Sequence, residues 1–254
     1  MDATSLHRTI RHAYVPRGRE LKGTSPATVR RHLDGRSLSA TRRHGKHLFA
    51  RIDGDDRWLR LHFGMTGDLR SWSGEQPADL DHVRLRLDFD DEAHLAYMCR
   101  RRLGELALVP DPETFAEEAG LGPDLLSEAL TEQQFLKLLE GRRGSVKGTL
   151  MNQDIVAGLG NVYVDEVLFQ SGVHPRTSVS DLDDEARVDL LRVARRVVRR
   201  AVDDRVDPER MPASWLLPLR EEGRACPRCS GTIEKTEVSG RATYFCPSHQ
   251  SASG

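Results

Sequence analysis

Near the C-terminus, Cys226-Pro-Arg-Cys229 and Cys246-Pro-Ser-His249 form two short knuckles separated by sixteen residues. Paired knuckles at this spacing match a tetrahedral zinc site, which takes thiolate and imidazole ligands. Thr232–Phe245, with a turn at Gly240, has the length and composition of a β-hairpin that such ligands would clamp. Disulfides are the structural alternative, but three cysteines and a histidine at ligand spacing argue for Cys226, Cys229, Cys246 and His249 around one structural Zn2+. The fourth cysteine of the chain, Cys99, stands apart in a strand-like region and reads as a small buried apolar residue.

Upstream, the hydrophobic period changes once. Lys46–Asp53 and Arg57–Phe63 flank a turn at Asp53-Gly54-Asp55, and His82–Phe89 alternates apolar residues with Arg84, Arg86 and Asp88. This is the pattern of a half-buried antiparallel sheet. From Thr131 the spacing becomes helical: Phe135, Leu136, Leu138 and Leu139 share one face, Val162–Gln170 gives a second helix, and Leu190, Ala194, Val197 and Ala201 mark a third. Glycines at 141, 144, 148, 158, 160 and 172 break these helices into short pieces.

The 254 residues carry a net charge of -1, but that charge is unevenly spread. Residues 1–104 sum to +6, 105–140 to -8 and 141–254 to +1. The acidic stretch, which contains Pro110, Pro112, Gly120, Gly122 and Pro123, reads as a solvated connection, and the rest is basic enough for a phosphate-binding surface. Mean hydropathy is -0.54, and no apolar run reaches the roughly 18 residues of a membrane span. No basic-then-apolar leader precedes the first strand, so the expected compartment is the cytoplasm. The expected class is α+β, with a sheet domain over 1–109, an acidic linker over 110–130, a helical domain over 131–217 and a zinc finger over 218–254.

Gln153-Asp154-Ile155-Val156-Ala157-Gly158-Leu159-Gly160-Asn161-Val162-Tyr163 holds more glycine than helix packing needs, since each weakens a helix by roughly 1 kcal/mol. A Gly-Leu-Gly-Asn turn entering a helix offers amide N–H groups and an Asn side chain to a phosphate. This segment resembles the helix-two-turn-helix of the formamidopyrimidine-DNA glycosylase and endonuclease VIII family of base-excision repair enzymes. Gly240-Arg241-Ala242-Thr243-Tyr244-Phe245-Cys246-Pro247 resembles that family's zinc finger, with His249 in place of the usual fourth cysteine. Gly45-Lys46-His47-Leu48, His62-Phe63-Gly64-Met65-Thr66-Gly67 and Arg101-Arg102-Leu103-Gly104 match, in order, the motifs of its N-terminal β-sandwich.

The resemblance implies an N-terminal antiparallel β-sandwich flanked by helix, a helical domain and a zinc hairpin. The implied partner is double-stranded DNA bearing damaged bases or abasic sites, met by a monomer at the nucleoid. Lys46, Asn161 and Arg241 would grip phosphates, and Lys147 would lie near the lesion. Met65 and Arg101 would fill the gap left by an everted nucleotide, with Leu103 wedging where the formamidopyrimidine branch usually has Phe. The family's chemistry rests on an N-terminal Pro-Glu, whereas this chain begins Met1-Asp2-Ala3. The ungapped match puts the nucleophile at the Met1 α-amine and the acid/base at Asp2, and a primary amine forms a Schiff base as a secondary one does. Three readings stay open: an active glycosylase and abasic-site lyase on 8-oxoguanine, formamidopyrimidine or abasic sites; a damaged-DNA-binding protein impaired in catalysis; or a chain whose natural start lies upstream. An unrelated zinc-ribbon protein binding RNA or protein would leave the N-terminal motifs unexplained.

Overall fold

The computed structural model describes residues 1–18, 20–205, 207 and 210–250, without the side chains of Asp2 and Ala3. The chain divides into two units, Met1–Gly120 and Leu121–Gly254.

The first unit is a sandwich of two four-stranded antiparallel sheets. One has the order β1-β6-β7-β5, with β1 at Ile10–Tyr14, β5 at Gly67–Ser73, β6 at Val83–Phe89 and β7 at Ala93–Cys99. The other has the order β2-β3-β4-β8, with β2 at Leu38–His44, β3 at His47–Ile52, β4 at Trp58–His62 and β8 at Glu105–Val109. Alternation along the strands sends Leu85, Leu87 and Phe89 from one sheet, and Ala50, Ile52, Leu59 and Leu61 from the other, into one buried core. The short helix α1 (Asp2–Ser5) opens the chain. Helix α2 (Pro26–Leu33) follows β1, its start fixed by Ser25, whose hydroxyl accepts the Thr28 N–H, and by Pro26 in the first turn. It closes the core with Val29 and Leu33.

The stretch 110–130 differs from the expected linker. Asp111 caps a helix, α3 (Pro112–Glu118), whose Phe115 ring lies 5.7 Å from that of Phe49 on the outer face of the second sheet. After the division at Gly120, Leu125 and Leu130 are buried in the second unit, and Arg195 donates to the carbonyls of Leu125, Ser127 and Leu130. The acidic composition reflects outward-facing Glu113, Glu117, Glu118 and Glu128, while apolar residues between them are buried. A mean charge over the window hid that alternation.

The second unit is helical. Helix α4 (Glu132–Leu139) begins with a capping box in which the Thr131 hydroxyl accepts the Gln134 N–H and the Gln134 side chain accepts the Thr131 N–H. Helices α5 (Val146–Met151), α6 (Asn161–Gln170) and α7 (Asp184–Asp203) pack around a core that includes Phe135, Leu150, Val164, Leu168, Leu190, Ala194 and Val197. Strands β9 (Glu234–Val238) and β10 (Arg241–Phe245) form an antiparallel hairpin, with Val238 paired to Arg241. The intervening Ser239 and Gly240 both have positive φ, 51° and 70°, as a two-residue type I′ turn requires.

Candidate nucleic-acid interface

In the first unit, Lys46 sits in the tight turn joining β2 to β3, where the facing pair His44 and His47 closes the ladder. Its side chain reaches solvent, and partial burial among neighbouring groups lowers its pKa from the ordinary lysine value. Beside it, the His47 and His62 rings lie 4.9 Å apart. The buried Arg60 donates to His47 Nδ1 at 3.0 Å and to Glu105 at 2.8 Å. Burial, then the neighbouring His62 and Arg60 charges, push the His47 pKa down to about 3, so its ring is neutral at physiological pH. His62 Nδ1 accepts the Gly64 N–H, which leaves Nε2 as the donor nitrogen. Sequence reasoning passed over His62, although it opens the very motif that contains Met65.

Met65 and Arg101 belong to two loops held against each other. Gly64 has φ of 60°, and a Cβ there would lie 2.5 Å from the Leu103 carbonyl oxygen, so the backbones meet where only glycine fits. The Thr66 hydroxyl accepts the Arg101 N–H at 3.0 Å, and Arg101 Nη1 lies 3.5 Å from Met65 Sδ. Behind them the Tyr97 hydroxyl donates to the His62 carbonyl, against Gly104. The result is a tip presenting Met65 and Leu103, 72% and 45% exposed, beside Arg101. Exposed large apolar side chains on a braced tip are available for contact with an apolar surface.

Met1 is the N-cap of α1 and packs at the edge of the sandwich core; its carbonyl accepts the N–H groups of Thr4 and Ser5. The Asp2 side chain lies outside the described part, so its expected acid/base role has no geometry here.

In the second unit the glycine-rich turn is held by Gln153. Its amide group donates to the carbonyls of Met151 and Leu159, and its oxygen accepts the Gly158 N–H. Gly158 has φ of 127°, a conformation closed to other residues, whereas Gly160 is ordinary extended backbone and serves as the N-cap of α6. Asn161, the first residue of α6, donates from Nδ2 to the Ala242 carbonyl at 3.0 Å. That bond brings Asn161 to the hairpin next to Arg241. The Arg241 guanidinium is exposed at the tip and has no side-chain partner among the described residues.

Lys147 differs from the expectation. It is fully buried, its ammonium donating to Asp165 Oδ1 at 2.6 Å, the Thr243 hydroxyl at 2.6 Å and the Ala242 carbonyl at 3.3 Å. It holds the hairpin on α6 and has no surface to offer DNA. Asp165, also buried, accepts from Arg220 at 2.7 Å and from the Tyr244 N–H as well. Asp165 and Glu166 inside the apolar run Val164–Phe169 were the sequence signal for such a site, because carboxylates on a buried helix face need partners.

The three thiols of Cys226, Cys229 and Cys246 converge, their sulfurs all within 4.8 Å of one another. None is in a disulfide. The Gly231 N–H points at Cys229 Sγ and lowers that thiol's pKa, while burial pushes Cys246 up to about 11. Three converging, hydrogen-bonded thiols on a small hairpin fit a structural zinc ion and little else. His249 is not part of this group: its Nε2 lies 2.9 Å from the Phe169 carbonyl near the end of α6. Spacing alone put it with the cysteines, whereas a ring flanked by the Phe169 side chain and carbonyl is held toward the helix.

Three domain models cover the chain in the order of these features. Residues 1–106 match the formamidopyrimidine-DNA glycosylase N-terminal domain, 121–209 the formamidopyrimidine-DNA glycosylase H2TH domain and 223–248 the zinc finger found in FPG and IleRS. The formamidopyrimidine-DNA glycosylase of Gluconobacter oxydans is 32% identical, covering 98% of this chain and 94% of that protein. This chain belongs to the formamidopyrimidine-DNA glycosylase family. A second member, from Geobacter metallireducens, is 34% identical over 92% of this chain and 89% of its own length. Among solved structures, the Lactococcus lactis formamidopyrimidine-DNA glycosylase non-covalently bound to DNA containing an AP site superposes with a TM-score of 0.83 at 27% identity, covering 96% of this chain and 92% of that one. The same organism's enzyme with N7-benzyl-Fapy-dG DNA gives 0.85 at 26% identity, covering 97% and 93%. Membership in this family brings DNA-glycosylase chemistry and the structural zinc finger together.

Proposed function

We propose that this protein excises oxidised bases from double-stranded DNA, taking 8-oxoguanine and formamidopyrimidine lesions or abasic sites, and then cleaves the strand as a lyase. The observation that carries the reading is the braced tip of Met65, Arg101 and Leu103, an exposed apolar wedge beside a cation that suits the hole left by an everted nucleotide. Support comes from the relatives, whose solved structures hold abasic or Fapy-dG DNA. Lys46 on its turn, and Asn161 with the exposed Arg241, supply phosphate contacts that fix position without reading sequence.

In this reading the Met1 α-amine attacks C1′ of the damaged nucleotide, the C1′–N bond to the base breaks, and Asp2 delivers the proton the departing base needs. Ring opening leaves an imine between the α-nitrogen and C1′. The imine acidifies the C2′ proton, whose removal expels the 3′ phosphate and, in a second elimination, the 5′ phosphate. The zinc ion, held by the finger thiolates, is structural and takes no part in these steps.

The test compares duplexes that carry an abasic site or 8-oxoguanine with undamaged duplex. Strand cleavage confined to the damaged duplexes, and lost when the α-amine is acetylated, supports the enzyme. Tight lesion binding without cleavage at protein in excess of DNA transfers the assignment to a damage-binding protein, the reading that the Met1-Asp2 start motivates.

A further inference from the structure

The loop from Arg100 to Gly104 carries both Arg101 and Leu103, and its turn is closed by the Arg102 N–H on the Cys99 carbonyl at 3.4 Å. Arg102 has φ of 54°, in the left-handed region that glycine enters freely and an arginine does not. A non-glycine residue persists there only where its surroundings hold it. The Arg102 side chain shows what does so. Its Nε lies 3.6 Å from Oε1 of Glu20, a carboxylate on a residue only 3% exposed.

Glu20 meets the same loop at its two ends as well. Its Oε1 is 3.1 Å from Nε of Arg84 on β6, and that N–H donates to the Cys99 carbonyl, where the loop leaves β7. The Glu20 carbonyl accepts the Leu106 N–H at 2.8 Å, and the Lys22 N–H donates to the Leu106 carbonyl at 2.9 Å, just after the loop enters β8. Neither carboxylate oxygen has a hydrogen-bond donor among the described residues, so attraction to the two guanidiniums is what offsets its loss of water. A Cβ at Gly18 would lie 2.1 Å from Oε2, so any side chain there would have to displace the carboxylate.

We infer, resting on the reading of the tip as a wedge, that Glu20 is a positioning residue for it: the buried negative charge holds Arg102 in the left-handed conformation, and that turn sets where Arg101 and Leu103 project. Glu20 acts through Arg102 and does not itself meet DNA. Gly64 and Thr66 brace the loop from one side, through the Leu103 carbonyl and the Arg101 N–H, and the Glu20–Lys22 segment braces it through Arg102, Arg84 and Leu106.

The experiment uses the full chain and a duplex with a tetrahydrofuran abasic analogue beside 2-aminopurine, whose fluorescence rises when the neighbouring stack is opened. At saturating protein the amplitude reports the wedge rather than the affinity. Glu20→Gln removes the charge at nearly constant shape, and Arg102→Gln breaks the same pair from its exposed side, where the core is not touched. Each should lower the amplitude by about half and weaken binding to the abasic duplex by about tenfold, with undamaged duplex changed by less than about twofold. The double variant should lose no more than either single one, because both act on one contact. Unchanged amplitude, losses that add in the double variant, or equal weakening on both duplexes overturns the inference; if Glu20→Gln does not fold, Arg102→Gln decides by the same amplitude. Leu103→Ala separates the two levels: amplitude lost there but kept in the Glu20 and Arg102 variants overturns this inference alone, whereas amplitude kept in Leu103→Ala overturns the wedge beneath it.

Discussion

A lysine with no surface cannot touch a phosphate, whereas an exposed arginine with no side-chain partner among the described residues is available to one; Lys147 and Arg241 lie at these two extremes within one short network. Lys147→Met leaves the Oδ1 side of buried Asp165 without its donor, Arg220 remaining on Oδ2, and should destabilise the second unit by about 1–3 kcal/mol, measured by denaturant unfolding, while leaving the salt dependence of DNA binding in place. Arg241→Ala should do the reverse, with unchanged stability and a slope of log affinity against log salt reduced by roughly one. The motif spacing that singled out both residues carries no information on burial, and so could not separate them. The buried carboxylate of Asp165 within an apolar run was the clue that a cation must be buried beside it. A histidine gives a third outcome. The folded-state pKa of His47, about 3, lies below the ordinary 6.5, so the unfolded chain binds the proton more readily. Stability from this group is therefore present above pH 6.5 and is lost as pH falls toward 3. His47→Gln should flatten the pH dependence of unfolding in that window by up to one proton, read from denaturation midpoints between pH 7 and 4.

At the scale of elements, most of what the sequence announced came from periodicity. Alternation in His82–Phe89 and helical spacing after Thr131 became β6 and α4, and the Gly240 turn became a hairpin with a two-residue I′ loop. What it concealed were the short helices α1 and α3, whose few residues give the period no room to show, and the burial of Leu125 and Leu130 amid acidic neighbours. The candidate site was legible where a motif coincides with a backbone necessity, as at Gly64 beside Met65. It was illegible where a ring's direction decides, as at His249, which spacing groups with the cysteines and the structure holds against Phe169. Gly64→Ala tests the first kind. A methyl group at φ of 60° and 2.5 Å from the Leu103 carbonyl must part the two loops, so the substitution should cost about 1 kcal/mol or more in stability. It should also weaken binding to abasic duplex more than to undamaged duplex, measured by fluorescence anisotropy. Equal weakening of both would show that the tip does not sense the lesion.

For the whole molecule, a near-neutral net charge conceals an acidic middle stretch between more basic flanks, and the residues assigned to DNA, Lys46, Met65, Arg101, Leu103, Asn161 and Arg241, all lie in those flanks. Each unit has its own buried core, so the wedge with Lys46, and Asn161 with Arg241, are supported by separately packed scaffolds. What joins them into one activity is the chemistry proposed for the first residue. Borohydride reduction during reaction with an abasic-site duplex converts the imine to a stable amine, and peptide mapping of the cross-linked protein by mass spectrometry identifies the nitrogen involved. A single adduct on the α-nitrogen of Met1 is the result expected. An adduct on a lysine side chain such as Lys46, or no adduct where the same duplex is bound tightly, would contradict the account.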